Sequence, residues 1–326
     1  MADNVTRIVA ADIGGTNARF ALAEIVPGER PRLGAVRHYR TADHEGLLSA
    51  WRAFSRDEGG ALPPRAAIGV AAPIEGQVLR FMNSPWRIET RGLAEKLGLE
   101  RMLLLNDFGA IAHAVSVLGE EELEPIAGPE GPLPDEGVIT ILGPGTGLGV
   151  AMLLRCGGRT EVIETEGSHI GFAPLNEEEQ RIAAELRRTH GRASVERLVS
   201  GPGLYDLYRC LGGRSFDVGD SAGLWAAALE GRDPIAADAL EHLVKAFGSA
   251  AGDLALAHGA VGVAISSALS RRMAGHLRSP LFAGRFIAKG RYRARMQKVK
   301  VRLVTHEEPG LLGAAVAFER MASDGA

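Results

Sequence analysis

Short apolar runs alternate with helically spaced patterns along this chain. In the first half the runs predict strands at 7–12, 18–25, 66–72 and 102–106, and the helical spacing predicts helices near 45–57, 90–98 and 108–118. Phe108, Ile111, Ala112, Val115 and Leu118 fall on one face of the last of these, so that face is expected to be buried. Residues 119–136, rich in Glu, Pro and Gly, carry no periodicity and are expected to cross between two domains. A second strand–turn–strand hairpin then covers 138–154. Helices are expected at about 177–190, 194–200, 203–211, 221–230 and 234–258, strands at 261–265 and 300–305, and a closing helix at 309–322. A hairpin first and helices later, twice over, indicates a duplicated α/β plan with a cleft between its halves.

Both hairpins turn on glycines. The first turn reads Asp12-Ile13-Gly14-Gly15-Thr16-Asn17 and the second Gly143-Pro144-Gly145-Thr146-Gly147-Leu148-Gly149. Bare backbone lets a ligand come close and points several N–H groups at one spot, which suits a phosphate. Two such turns can grip a polyphosphate from opposite sides. Neither turn has the lysine of a Walker loop. Neither opens a helix as a dinucleotide fingerprint must, although Glu164 and Glu166 lie where a ribose-binding acid would be. The competing reading is a pair of ordinary hairpin turns whose glycines supply positive φ. Asp12 ends its strand just before the turn, as a turn cap or as a carboxylate that helps hold Mg²⁺ through water.

Composition narrows the classes. The chain has 326 residues, 46% hydrophobic, enough for two domains with cores of their own. A net charge of −3 leaves no footprint for nucleic acid or an anionic membrane. No apolar run is long enough to span a bilayer, and the start of the chain lacks a basic-then-apolar leader. Cys156 and Cys210, the only cysteines, form no metal or disulfide pattern, which fits a reducing, cytoplasmic setting.

Asn106-Asp107 ends an apolar strand and starts a helix, where both residue types serve as N-caps. The chemical alternative makes Asp107 the base for a substrate hydroxyl; a helix N-terminus keeps its pKa low, and phosphoryl transfer asks for little basicity. Glu166 and His169 follow the second hairpin, and Glu196 opens a helix; carboxylates and a neutral imidazole suit an array of sugar hydroxyls. Glu177-Glu178-Glu179 with Asn176 reads as a capping box, and the basic stretch Lys289 to Arg302 as a solvated face.

Taken together, ADIGGTNARFALAE, LNDFGAIAHAV, LGPGTGLGVA, EGSHIGFAPLNEEE, ERLVSGPGLYDLYR and EEPGLLGAAVAFER resemble the successive blocks of bacterial glucokinases of the proteobacterial type, within the hexokinase–actin ATPase superfamily. The resemblance runs from Arg7 to about Arg320; the cysteine-rich zinc motif of the repressor-related sugar kinases is absent. It implies a two-domain actin/hexokinase-like fold of duplicated ribonuclease-H-like domains, with a small domain at 1–117 plus 307–326 and a large one at 118–306. It implies transfer of the ATP γ-phosphate to the 6-hydroxyl of D-glucose, with Mg²⁺, in a cytoplasmic homodimer. By the same resemblance Asp107 is the catalytic base. Asn106, Gly147, Glu166, His169 and Glu196 surround the sugar; Ala11, Asp12, Ile13, Gly14, Gly15, Thr16, Asn17, Gly145 and Thr146 surround the nucleotide.

One segment departs from the family pattern. Where its adenosine-binding strand leads into Gly-Gly, this chain has Ser266-Ser267. The serines either cap the next helix or obstruct the nucleoside, weakening ATP or favouring another phosphoryl donor. The rival readings are therefore a non-catalytic sugar sensor and a kinase of another hexose or donor; the sequence does not rank glucose against mannose, fructose or glucosamine.

Overall fold

The structure, a computed structural model, describes residues 5–81 and 84–324. The chain divides into two compact units. One holds the chain up to Leu118 and again from His306; the other holds Gly119–Thr305.

The first unit comprises β1 (Thr6–Ile13), β2 (Asn17–Ile25), β3 (Arg32–Leu33), β4 (Arg37–Arg40), α1 (Leu47–Asp57), β5 (Arg65–Val70), the hairpin β6 (Val78–Arg80) and β7 (Arg87–Glu89), α2 (Leu93–Leu97), β8 (Arg101–Asn106) and α3 (Asp107–Val115), and the C-terminal helix Pro309–Asp324. Its sheet runs β3-β2-β1-β5-β8, with β4 also on β2. The β1–β2 and β2–β3 pairs are antiparallel; β1–β5 and β5–β8 are parallel. Strand β1 is buried on both faces because its alternate residues serve two cores. Val9, Ala11 and Ile13 pack with Trp51 and Phe54 of α1, while Ile8 and Ala10 pack with Leu311, Ala314 and Phe318 of the C-terminal helix. That helix also lies against α3 so closely that a side chain at Gly313 would overlap the Ala110 carbonyl.

The second unit has β9 (Leu123–Ala127), β10 (Gly137–Pro144), β11 (Leu148–Cys156), β12 (Arg159–Thr165), β13 (Gly262–Ile265) and β14 (Lys300–Val304), in the order β12-β11-β10-β13-β14-β9. Here too an antiparallel trio is followed by two parallel neighbours, with β9 added antiparallel at the far edge. Between β12 and β13 come α4 (Glu177–His190), α5 (Val195–Leu198), α6 (Gly201–Cys210), α7 (Ser221–Glu230) and α8 (Pro234–Ala257); α9 (Ala268–Arg272) follows β13. One apolar core joins α4, α6, α7 and α8 to the sheet. Among the described residues no helix is long and apolar enough to cross a membrane.

Two sequence expectations need correction, and strand β12 has no counterpart among them. Residues 119–136 are not a plain crossing, because they contain β9. Its pattern was hidden by Pro125, tolerated at a sheet edge, and by a register shift opposite Val301/Arg302 that breaks the two-residue alternation. The β12 strand leaves no apolar run in the sequence because it is an exposed, largely polar edge. The basic stretch is not wholly a solvated face. Arg302 is buried and donates to the carbonyls of Ala127, Pro129, Val301 and Gly131, so it anchors the loop after β9. Lys289 pairs with Asp253 at 2.7 Å, and Lys300 donates to the Pro132 carbonyl. Arg291, Arg293, Arg295 and Lys298 are exposed.

The α3–C-terminal helix contact carries a titration. Arg320 lies 3.2 Å from His113 Nδ1 and donates to Ser116 Oγ. Burial, reinforced by the Arg320 charge, pushes the His113 pKa down from 6.5 to about 4. The unfolded chain therefore takes up a proton at His113 that the folded chain refuses. This part of the stability is intact above pH 6.5 and is lost as the pH falls to about 4. Thermal unfolding between pH 7 and 4 should show a falling Tm, and the fall should be shallower in His113→Gln.

Candidate active site

The first glycine turn joins β1 to β2 in a register that sets Asp12 opposite Arg19 and Ile13 opposite Ala18. Gly14 N–H donates to the Asn17 carbonyl at 2.9 Å. Thr41 braces the turn from outside: its N–H donates to the Thr16 carbonyl and its hydroxyl to the Gly15 carbonyl. Thr16 and Asn17 are exposed at the tip. Asp12 accepts from Arg19 Nη1 at 3.1 Å. Burial pushes its pKa up, and the Arg19 charge and hydrogen bond only partly pull it back.

The second turn closes the β10–β11 hairpin, with Gly145 N–H donating to the Gly147 carbonyl at 2.7 Å. The Gly145 carbonyl accepts from Gly201 N–H at the start of α6. None of the glycines in either turn has a positive φ, so the ordinary-turn reading, which needs positive φ, does not hold. Their reasons differ. A side chain at Gly143 would overlap the Ser266 carbonyl, and one at Gly147 would overlap the Glu196 carboxylate. At Gly145 it would meet nothing, and at Gly14 only an ordinary contact at 3.5 Å.

Asn106, not Asp107, is the N-cap of α3; its Oδ1 accepts from Phe108 N–H at 2.9 Å and Gly109 N–H at 3.3 Å. Asp107 occupies the first helical position, and its Oδ1 accepts from the adjacent Phe108 N–H. The parallel pairing of β1, β5 and β8 sets Asp12 beside Gly69 and Asn106 beside Val70, so Asp12 and the Asn106-Asp107 pair share one edge of the sheet.

In the second unit, Glu166 and His169 flank one short 3₁₀ turn, 3.7 Å apart and both exposed. Backbone pairing of Gly171 with Ser194, and Val195 N–H donating to the Ile170 carbonyl, hold that turn beside the start of α5. Glu196 is there more than a partner of the helix dipole: it accepts from Leu148 N–H at 3.1 Å, tying α5 to the second glycine turn. Glu166, His169, Glu196 and Gly147 thus belong to one connected region. The capping box is modified: Asn176 accepts from Glu179 N–H, but the Glu179 carboxylate accepts from Leu175 N–H and pairs with Arg285 at 2.9 Å.

Sequence reasoning left Arg19, Thr41 and Glu308 without a role. Arg19 was readable, because a hairpin turning at 14–16 puts positions 12 and 19 opposite each other. Thr41 and Glu308 reach the site through distant segments and left no local signal. Among the described residues no group of three or more His, Cys, Asp or Glu side chains is placed to hold a metal ion.

The sequence model of the glucokinase family matches residues 9–321. The glucokinase of Zymomonas mobilis is 48% identical over 97% of this chain and 99% of its own. Among solved structures, a glucokinase from an Antarctic psychrotroph superposes with a TM-score of 0.82 at 31% identity, covering 96% of this chain and 99% of its own. That of Balamuthia mandrillaris, solved with glucose, superposes at 0.77 with 21% identity, covering 98% and 95%, which is likeness of fold. The architecture is that of the actin/hexokinase-like ATPases.

The serine pair that departs from the family pattern is taken up by the chain itself. Ser267 caps α9, accepting from Ser270 N–H at 2.9 Å, with its hydroxyl 2.8 Å from that of Ser270. Ser266 is fully buried, and its hydroxyl has no hydrogen-bond partner. The two positions should therefore respond in opposite directions. Ser267→Ala should cost about 1 kcal/mol by loss of a cap. Ser266→Ala, which removes an unsatisfied buried hydroxyl, should leave stability unchanged or raise it. Chemical denaturation of both variants reads this directly.

Proposed function

The chain belongs to the glucokinase family, and we propose that it transfers the γ-phosphate of ATP to the 6-hydroxyl of D-glucose. The observation that carries the phosphate part is the freedom around Gly14 and Gly145. Neither backbone conformation nor packing demands glycine at these positions. The demand we assign to them is a ligand that must touch backbone. A phosphate chain fits this, since each turn leaves bare backbone at the end of a two-stranded hairpin.

Asp107 is assigned as the base that takes the proton of the sugar 6-hydroxyl. The transition state of phosphoryl transfer is loose enough for a weak base to suffice. Rate enhancement then rests on holding acceptor and donor in line. Glu166, His169 and Glu196 accept or donate hydrogen bonds to the remaining hydroxyls, and Gly147 leaves room for the Glu196 carboxylate. The Asn106 side chain is held at both ends, its oxygen in the cap and its amide nitrogen donating to the Ala72 carbonyl at 3.4 Å, which fixes it at the sugar side of the proposed site.

Asp12, a lone carboxylate, fits an Mg²⁺ that arrives on the nucleotide and keeps most of its water. Once bound, the ion would neutralise charge on the phosphates. With the serines engaged in the chain's own packing, they give no reason to prefer another donor. The shared strand order of the two sheets supports descent from one ribonuclease-H-like unit, with the domain division near 118 and 306. A cytoplasmic homodimer completes the reading, and light scattering with cell fractionation tests it.

Asp107→Ala should lower kcat by about a thousandfold or more in a coupled assay with glucose and Mg·ATP. Glucose binding by calorimetry should persist, and substantial turnover would refute the assignment. The same assay run on mannose, fructose and glucosamine ranks the sugars. Gly145→Ala should leave Tm unchanged yet raise the KM for ATP about tenfold. An unchanged KM would remove the argument from the glycines.

A further inference from the structure

The block Glu307-Glu308-Pro309-Gly310 lies in sequence far from the first glycine turn, yet Gly310 abuts Asp12 and Glu308 faces Arg19. The register of the sheet puts Asp12 on β1, Arg19 on β2 and His38 on β4 in one row across the strands. Side chains in such a row lie on one face of the sheet. Arg19 is the middle member and donates to Asp12 from Nη1 at 3.1 Å. Its other side is met by Glu308: Arg19 Nε lies 3.6 Å from Glu308 Oε2, and both atoms are buried. The second Glu308 oxygen lies 3.6 Å from His38 Nε2.

Glu308 is itself fixed in place. Its N–H donates to His306 Nδ1 at 3.1 Å, and its carbonyl accepts from Leu312 N–H in the first turn of the C-terminal helix. Two residues on, the same turn abuts the carboxylate: a Cβ at Gly310 would lie 2.9 Å from Asp12 Cγ and Oδ2. One helix start therefore touches both partners of the Asp12–Arg19 pair, with Gly310 against the carboxylate and Glu308 against the guanidinium.

A guanidinium on a long side chain carries rotamer freedom that must be removed before it can orient a carboxylate. Asp12 holds one end of Arg19 by a hydrogen bond, and the Glu308 carboxylate faces the other at ion-pair distance. We infer that Glu308 is a positioning residue for nucleotide binding: it clamps Arg19 from behind, and Arg19 in turn aims the Asp12 carboxylate at the Mg²⁺ that accompanies the nucleotide. This rests on the assignment of Asp12 above. It adds the second layer of support and gives the C-terminal block a task beyond packing.

The test is a double-mutant cycle read by calorimetric binding of Mg·ADP, alongside steady-state kinetics and thermal melts of each variant. Glu308→Gln keeps the shape and removes the charge. It should weaken Mg·ADP about tenfold, with the KM for glucose within about twofold of the parent. In an Arg19→Met background the same substitution should add less than about twofold, because its route runs through Arg19. Additive losses would show that Glu308 acts independently and would overturn the inference. So would unchanged Mg·ADP binding, whether or not Tm falls, which would make the residue merely structural. Asp12→Asn separates the two layers. If it leaves Mg·ADP binding unchanged, the assignment of Asp12 itself fails; if it weakens binding while Glu308→Gln does not, only the clamp fails.

Discussion

Parallel strands end together, and the rest of the arrangement depends on that constraint. In the first unit β1, β5 and β8 run the same way, so Asp12 and Asn106-Asp107 reach a single edge although about a hundred residues separate them. In the second unit β10, β13 and β14 do the same for the second glycine turn and the serine pair. Strand ends gathered at one edge are where open α/β sheets place their ligands. The antiparallel hairpin added to each parallel set supplies what the parallel strands cannot: a tight turn with bare backbone, stiffened by its two strands.

Much of this was legible in the chain. The buried strands read cleanly because both of their faces are covered, which forces continuous apolar runs such as Ile8-Val9-Ala10-Ala11. Helix α4 read cleanly because Asn176 marks where it begins. What failed to read had a physical cause in each case. Strand β9 carries a proline and a register shift, and β12 is an exposed edge. Arg302 looked like one more surface cation because sequence holds no trace of the carbonyls that surround it. At the candidate site the residue types were readable and the partnerships were not. Nothing local announces that Asn106 rather than Asp107 caps the helix, or that Glu196 reaches back to Leu148.

The glycines show why the distinction matters. In sequence they are one motif with one meaning. In the folded chain Gly143 makes room for the Ser266 carbonyl and Gly147 for a carboxylate, while Gly145 faces open space. A motif can thus mix positions required by folding with positions required by a ligand, and only the surroundings of each Cβ tell them apart.

The C-terminal helix has a consequence for how the protein is made. It supplies Leu311, Ala314 and Phe318 to the core under β1, yet the ribosome delivers it only after all of Gly119–Thr305 has been synthesised. The unit begun first therefore waits, with one face of its sheet uncovered, while the other unit can already close. During that interval the first glycine turn stands on an incomplete support. A chain that stopped after Gly310 would keep every residue assigned to the site and still leave that turn without its foundation.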